Sequence, residues 1–147
     1  MRLWHQYLIT YLPDKQLLGQ HRELCALRGL GFGKKHSVVD YVFLYPYYYL
    51  YKFHLLVINE MENRKFVVNE LWKDANYRGK NIGYDNSCFT RGHRINKIIY
   101  KEHNIHYLNE CLLNLNKKGI FLDVKKNSCL YQILKKQNLL NYIEVID

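Results

Sequence analysis

The stretch PDKQLLGQHRELCALRGLGFG, Pro13–Gly33, carries the period that decides the fold class. Leu17, Leu18, Leu24, Cys25 and Leu27 recur near every 3.6 residues, the pattern of an amphipathic helix with one buried stripe. Pro13 or Asp14 supplies the start, because proline suits a first helical turn and a carboxylate oxygen can hold free backbone N–H groups. Gly29, Gly31 and Gly33 end it, since glycine takes a left-handed cap at little steric cost. Inside the helix Arg22 and Glu23 are adjacent and so point about 100° apart, while Gly19 leaves room one turn before Glu23. Among His21, Arg22 and Arg28, Glu23 reads either as a member of an ion-pair network or as a catalytic acid. Residue types alone leave both readings open.

Working outward, a helix over Tyr47–Arg64 follows from Leu50, Phe53, His54, Val57, Ile58 and Met61, with Pro46 breaking the chain before it. Between the two helices, Ser37 suits an N-cap for a helix from Val38, although Val38–Phe43 fits a short strand equally well. Tyr45, Tyr47, Tyr48, Tyr49 and Tyr51 are either phenols at the edge of a packed helix or a stacking surface for nucleic acid. Val67–Trp72 reads as a further turn of helix. Lys73–Lys97, KDANYRGKNIGYDNSCFTRGHRINK, shows no apolar period and reads as a long basic loop. Glu102–Lys118 is a second clear amphipathic helix, with Ile105, Leu108, Cys111, Leu112 and Leu115 as its stripe. Ile120–Val124 reads as extended, Leu130–Leu140 as a last helix and Asn141–Asp147 as a tail. The expected fold is mainly α, a compact single domain over residues 1–147 with a long basic loop.

Lysine and arginine total 22 against 13 acidic residues, a formal charge of +9, which favours a polyanionic partner such as nucleic acid. The apolar run Leu50–Ile58 is too short, and too interrupted by Lys52 and His54, to span a membrane. Cys25, Cys88, Cys111 and Cys129 form no close pairs, and no signal peptide precedes them, so reduced thiols in the cell interior are expected. The set Cys88, His93, His103 and His106 matches no zinc spacing, and no metal site is assigned. Gly29–Gly33 before Lys34 and Lys35 lacks the order of a phosphate-binding P-loop.

Several short blocks carry a resemblance: MRLW at the start, LPDKQLLGQHRELCALRG, GKKH, NYRGK, and a late EHN followed by YLNECLLNLNKKGI. With them the chain resembles the pyrimidine-dimer DNA glycosylases of the endonuclease V type, more closely a bacterial and viral branch of relatives. Similarity to the branch runs from Met1 to about Leu122; that to the characterised enzymes is confined to the terminus and Leu17–Glu23. The resemblance implies attack of the chain's α-amine on the sugar carbon C1′ of a damaged nucleotide, with an imine intermediate and strand cleavage. Because Arg2 is bulky enough to block methionine removal, the amine would be that of Met1. Glu23 would support the imine, and Arg2 and Arg22 match phosphate-binding arginines, with Arg28 as stand-in for a third. Lys34, Lys35, Arg78, Lys80, Arg91 and Arg94 would add phosphate contacts. Imine chemistry calls for no cofactor, and the implied partner is damaged double-stranded DNA bound by a monomer. The rival reading is a non-catalytic nucleic-acid binder of the same fold.

Overall fold

The computed structural model describes residues 2–29, 39–85 and 95–147. Helix α1 spans Asp14–Arg28 and follows Pro13, whose missing N–H costs a first helical turn nothing. Its buried positions are Leu17, Gln20, Leu24, Leu27 and Arg28. The stripe therefore includes two polar residues that hydrophobic periodicity passes over, and excludes Leu18 and Cys25, which are only half-buried. Gly29 ends the helix at φ −86°, so a left-handed conformation is not what requires it. A Cβ there would stand in ordinary contact, 3.4 Å from the Arg78 carbonyl oxygen.

Helix α2, Tyr47–Asn63, begins after Pro46 as expected and buries Leu50, Phe53, His54, Val57, Ile58 and Met61 against α1. Helix α3, Ile105–Lys117, starts three residues later than the apolar pattern suggests, because the Asn104 side chain accepts the Tyr107 N–H and fixes the cap there. Leu108, Cys111, Leu112 and Leu115 point inward, whereas Ile105 stays exposed in the first turn. Gly119 closes α3 at φ +77°, a conformation side chains with a Cβ resist.

At the end of the chain the expected extended segment and last helix are present, the helix four residues shorter at its end, while the expected tail forms a second strand. Strand β1, Leu122–Lys125, is followed by α4, Cys129–Lys136, and by strand β2, Ile143–Ile146. The two strands pair in parallel, Leu122 opposite Ile143 and Val124 opposite Val145. Asn138, at φ +58°, lies just beyond α4, and the Asn116 amide donates to the carbonyls of Ile120 and Tyr142, tying both strands to α3. The four residues of β2 alternate too briefly for sequence periodicity to separate them from a tail.

Two connecting segments also depart from expectation. Asp40–Leu44 winds as a 3₁₀ turn, so Val42 is buried while Phe43 and Leu44 face outward. The expected N-cap Ser37 lies outside the described residues. A second 3₁₀ turn, Glu70–Lys73, matches the expected turn of helix. The described part of the basic loop is folded rather than extended: Tyr77 and Tyr84 bridge antiparallel, the Arg78 N–H donates to the Gly83 carbonyl at 2.8 Å and the Gly83 N–H to the Gly79 carbonyl at 2.7 Å.

One hydrophobic core runs from Leu3 through Ile143 and, among the described residues, encloses the histidines His5, His54 and His103. His103 Nδ1 accepts the Gln6 N–H at 3.1 Å, so its proton sits on Nε2, facing the Tyr41 hydroxyl at 2.6 Å. His5 Nδ1 accepts the Tyr7 N–H at 3.0 Å. Burial pushes His5 down from 6.5 to about 4, against hydrogen bonds that raise it, and pushes His103 down to about 3, helped by His5. The unfolded chain binds protons below pH 6.5 that the native state refuses, so stability is intact above that pH and lost as pH falls. Each histidine removes about 1.4 kcal/mol per pH unit across that window. Urea titrations should therefore give a lower midpoint at pH 5 than at pH 7; equal midpoints would show that these imidazoles protonate freely in the native state.

Candidate active site

The segment Arg2–His5 lies against α1, and one buried side chain fastens it there. Gln20, 1 % exposed, accepts the Trp4 N–H on Oε1 at 2.6 Å. Its Nε2 donates to the Arg2 carbonyl and to Glu23 Oε2, each at 3.0 Å. The orientation of the amide is forced, since a backbone N–H can only meet the oxygen and a carbonyl can only meet the nitrogen. One turn of helix thus brings Glu23 to the carbonyl of Arg2. Met1 lies outside the described residues.

Glu23 is half-buried, and burial pushes its carboxyl above the usual range. The positive charge at the chain's amino end, the Gln20 bond, Lys118 and Arg22 oppose that shift in descending order. Of these, Gln20 and Lys118 are the residues that sequence reading missed. Helix α3 forms the other wall: the Tyr107 hydroxyl donates to the Leu3 carbonyl, Arg2 Nη1 stands 3.8 Å from Glu110 Oε2, and Lys118 Nζ lies 5.3 Å from the Trp4 ring centre. Arg22 and Lys118, both exposed, therefore set cations around the Glu23 carboxylate, whereas the Arg2 guanidinium turns to Glu110 and the Tyr107 ring.

Arg28 departs from its expected role as a phosphate contact. It is 0 % exposed, and all five donors are used. Nε donates to the Tyr47 hydroxyl at 2.8 Å, Nη1 to His54 Nδ1 at 2.9 Å and the Trp72 carbonyl at 2.7 Å, and Nη2 to the carbonyls of Asp74 and Tyr77 at 2.9 Å. Trp72 and Tyr51 lay their ring faces within 5.0 and 5.3 Å of the guanidinium. Neutral dipoles and π faces rather than a carboxylate hold this cation, and they staple the segment 72–77 to α1 and α2. Arg78 is likewise turned inward, donating from Nε to the Arg28 carbonyl at 2.8 Å, stacking on Tyr47 and standing 3.6 Å from Asp85. Of the other expected contacts, Lys80 is exposed, whereas Lys34, Lys35, Arg91 and Arg94 lie outside the described residues. Tyr47 and Tyr51 are packed tyrosines with bonded hydroxyls, as is Tyr45, which donates to Glu102 at 2.6 Å.

A cluster that spacing did not reveal joins α1 to α2. His21 Nδ1 and His54 Nε2 stand 2.8 Å apart, with Cys25 Sγ 3.8–4.0 Å from both rings. Those three ligand atoms lie within 4.8 Å of one another, close enough to surround a metal ion. The protons argue otherwise. Arg28 can only donate, so His54 Nδ1 accepts, its proton sits on Nε2, and that proton points at His21. A metal would have to displace it beside a fixed cation. Burial, then Arg28, then His21 hold His54 well below 6.5, and burial pushes the Cys25 thiol up to about 11, away from the thiolate that metals bind. The cluster is a neutral hydrogen-bonded relay. His103 is buried ahead of α3 and His106 exposed on it, so these two imidazoles do not converge, and Cys88 and His93 lie outside the described residues.

A family model described as pyrimidine dimer DNA glycosylase matches residues 1–74. The chain belongs to the pyrimidine dimer DNA glycosylase family. No curated protein and no solved structure matches it. As a member of a family of DNA-repair glycosylases, the chain has DNA as its substrate class. The matched half carries the terminus, Gln20, Glu23, Arg28 and both α1 and α2; Glu110 and Lys118 come from beyond it. Among the described residues no helix is long and apolar enough to cross a membrane.

Proposed function

We propose that this pyrimidine dimer DNA glycosylase family member removes damaged bases from double-stranded DNA and cleaves the resulting abasic site, with the α-amine of Met1 as nucleophile. The observation that carries the reading is Gln20, which bonds the Arg2 carbonyl and the Glu23 carboxylate with one nitrogen. An α-amine has a reference pKa of about 7.7–8.0, so a useful fraction is unprotonated near neutrality. A flipped nucleotide presents C1′ to that amine at an unstacking cost of roughly a few kcal/mol.

The amine lone pair forms a bond to C1′ as the bond from C1′ to the base breaks, and the electron pair leaves with the base, which takes up a proton. Opening of the sugar ring and loss of an N–H proton give the imine. A proton is then taken from C2′, the C3′–O3′ bond breaks, and the 3′-phosphate departs with its electrons. Water hydrolyses the imine and returns the amine. Glu23 would hold the developing cation and carry protons at the amine and at C2′. Arg2, Arg22 and Lys118 would grip the flanking phosphates, with Lys34, Lys35, Lys80, Arg91 and Arg94 extending the grip along the duplex. The protein works as a monomer in the cell interior, and no step requires a cofactor.

Borohydride trapping tests the reading. Duplexes containing an abasic site or a pyrimidine dimer are incubated with protein and reductant, and the adduct is located by mass spectrometry. A covalent link at the Met1 amine with both substrates, abolished by prior acetylation of the amine, is the expected result. Tight binding to both duplexes without any adduct would overturn it in favour of a non-catalytic binder.

A further inference from the structure

Gln20 is a polar side chain placed in the middle of an apolar stripe, where leucine would pack with less cost. Its amide is fully committed: one backbone N–H on the oxygen, one backbone carbonyl and one carboxylate oxygen on the nitrogen. Two of those partners fix the height of the terminal segment over α1. The third fixes where Glu23 points and what its oxygen must be. Because Nε2 is a donor with no proton to receive, Glu23 Oε2 has to be an acceptor, which the ionised carboxylate satisfies at either oxygen. Hydrogen bonding to the charged form favours that form, opposing the burial that pushes Glu23 the other way.

We infer that Gln20 is a positioning residue: it sets the separation of the Arg2 carbonyl from Glu23 and holds the carboxyl oxygen as an acceptor in a half-buried site. No substrate atom needs to touch it. The kinetic part of this inference rests on the imine chemistry proposed above; the geometric part does not.

Two substitutions separate the roles. Gln20→Met keeps the length and removes all three bonds. Gln20→Glu keeps an acceptor for the Trp4 N–H but turns a second acceptor toward the Arg2 carbonyl and Glu23, so the two carboxyls must share a proton. The Glu23 side-chain carboxyl is followed by carbon-13 NMR against pH, and single-turnover cleavage of an abasic duplex is measured from pH 6 to pH 9.

In Gln20→Glu the carboxyl pair should titrate in two steps, the upper one at least about one pH unit above wild-type Glu23. In Gln20→Met the Glu23 midpoint should rise through loss of the donor. Cleavage at pH 7 should fall about 10-fold or more in both, since displacing a reacting group by about an ångström is enough for that. Raising the pH should restore part of the loss in Gln20→Glu, which keeps the Trp4 N–H bond but not the bond to the Arg2 carbonyl, and none of it in Gln20→Met. A wild-type Glu23 midpoint in both variants, with only the melting temperature lowered, would reduce Gln20 to a packing residue and overturn the inference. Should Gln20→Met fail to fold, the Gln20→Glu titration decides alone. Wild-type protein that neither traps nor cleaves would defeat the proposed chemistry while leaving the titration to judge Gln20.

Discussion

Glu23→Gln should lower single-turnover cleavage of an abasic-site duplex by about 10²-fold or more at pH 7, the range general acid–base groups contribute, and leave DNA affinity within about threefold. The substitution keeps the frame intact. A glutamine oxygen at position 23 still accepts from Gln20 Nε2, so the terminus and α1 stay joined through the same amide. What disappears is the charge. A neutral amide can neither hold the iminium nor move a proton from C2′, whereas phosphate binding depends on cations that the substitution leaves alone. Removing one negative charge from a cationic surface should if anything tighten non-specific binding slightly. Cleavage rates equal to wild type would remove Glu23 from the chemistry and return it to the ion-pair reading. A large loss of affinity instead would place its role in binding.

Arg28→Met should destabilise the fold by about 4 kcal/mol, because truncation strands several groups that cannot find other partners. The carbonyls of Trp72, Asp74 and Tyr77, the Tyr47 hydroxyl and His54 Nδ1 all lose their donor together. Each orphaned buried group costs about 1–3 kcal/mol, partly recovered where water enters the space. Against a total stability of about 5–15 kcal/mol, that loss should lower the melting temperature by more than about 8 °C in a chain this size. Lysine is no remedy, as a single ammonium cannot span the five directions that the guanidinium fills. The opposite outcome is just as legible. Were Arg28 a phosphate contact, Arg28→Met would leave the melting temperature unchanged and reduce the salt dependence of DNA binding by nearly one unit of slope. Thermal melts and salt titrations on the same sample distinguish the two.

That contrast marks where sequence and structure divide. Periodicity and proline placement were sufficient for α1, α2 and most of α3, because each helix has an apolar stripe long enough to show its period and a local signal at its start. The same logic finds the extended segment that becomes β1 but fails at Asp40–Leu44 and in β2, where four or five residues cannot separate one period from another. Gln20 and His54 left a trace, being polar residues at apolar-stripe positions, yet a trace of that kind says only that a partner exists. Glu23 next to Arg2 was suggested by resemblance, and the Gln20 amide supplies the physical link that resemblance lacked.

The cations show the limit most plainly. A charge count ranks Arg2, Arg22, Arg28 and Arg78 alike, although Arg28 and Arg78 are turned into the protein by carbonyls and rings contributed some 20 to 50 residues away. Lys118, by contrast, comes to Glu23 from the far end of α3. The sequence by itself determined the helical class and the DNA-repair family, because these depend on local pattern and short motifs. Only the tertiary structure decided which arginines are turned into the protein and what holds the Arg2 carbonyl beside Glu23. A guanidinium's role depends on which acceptors surround it, and those acceptors are brought together by the fold.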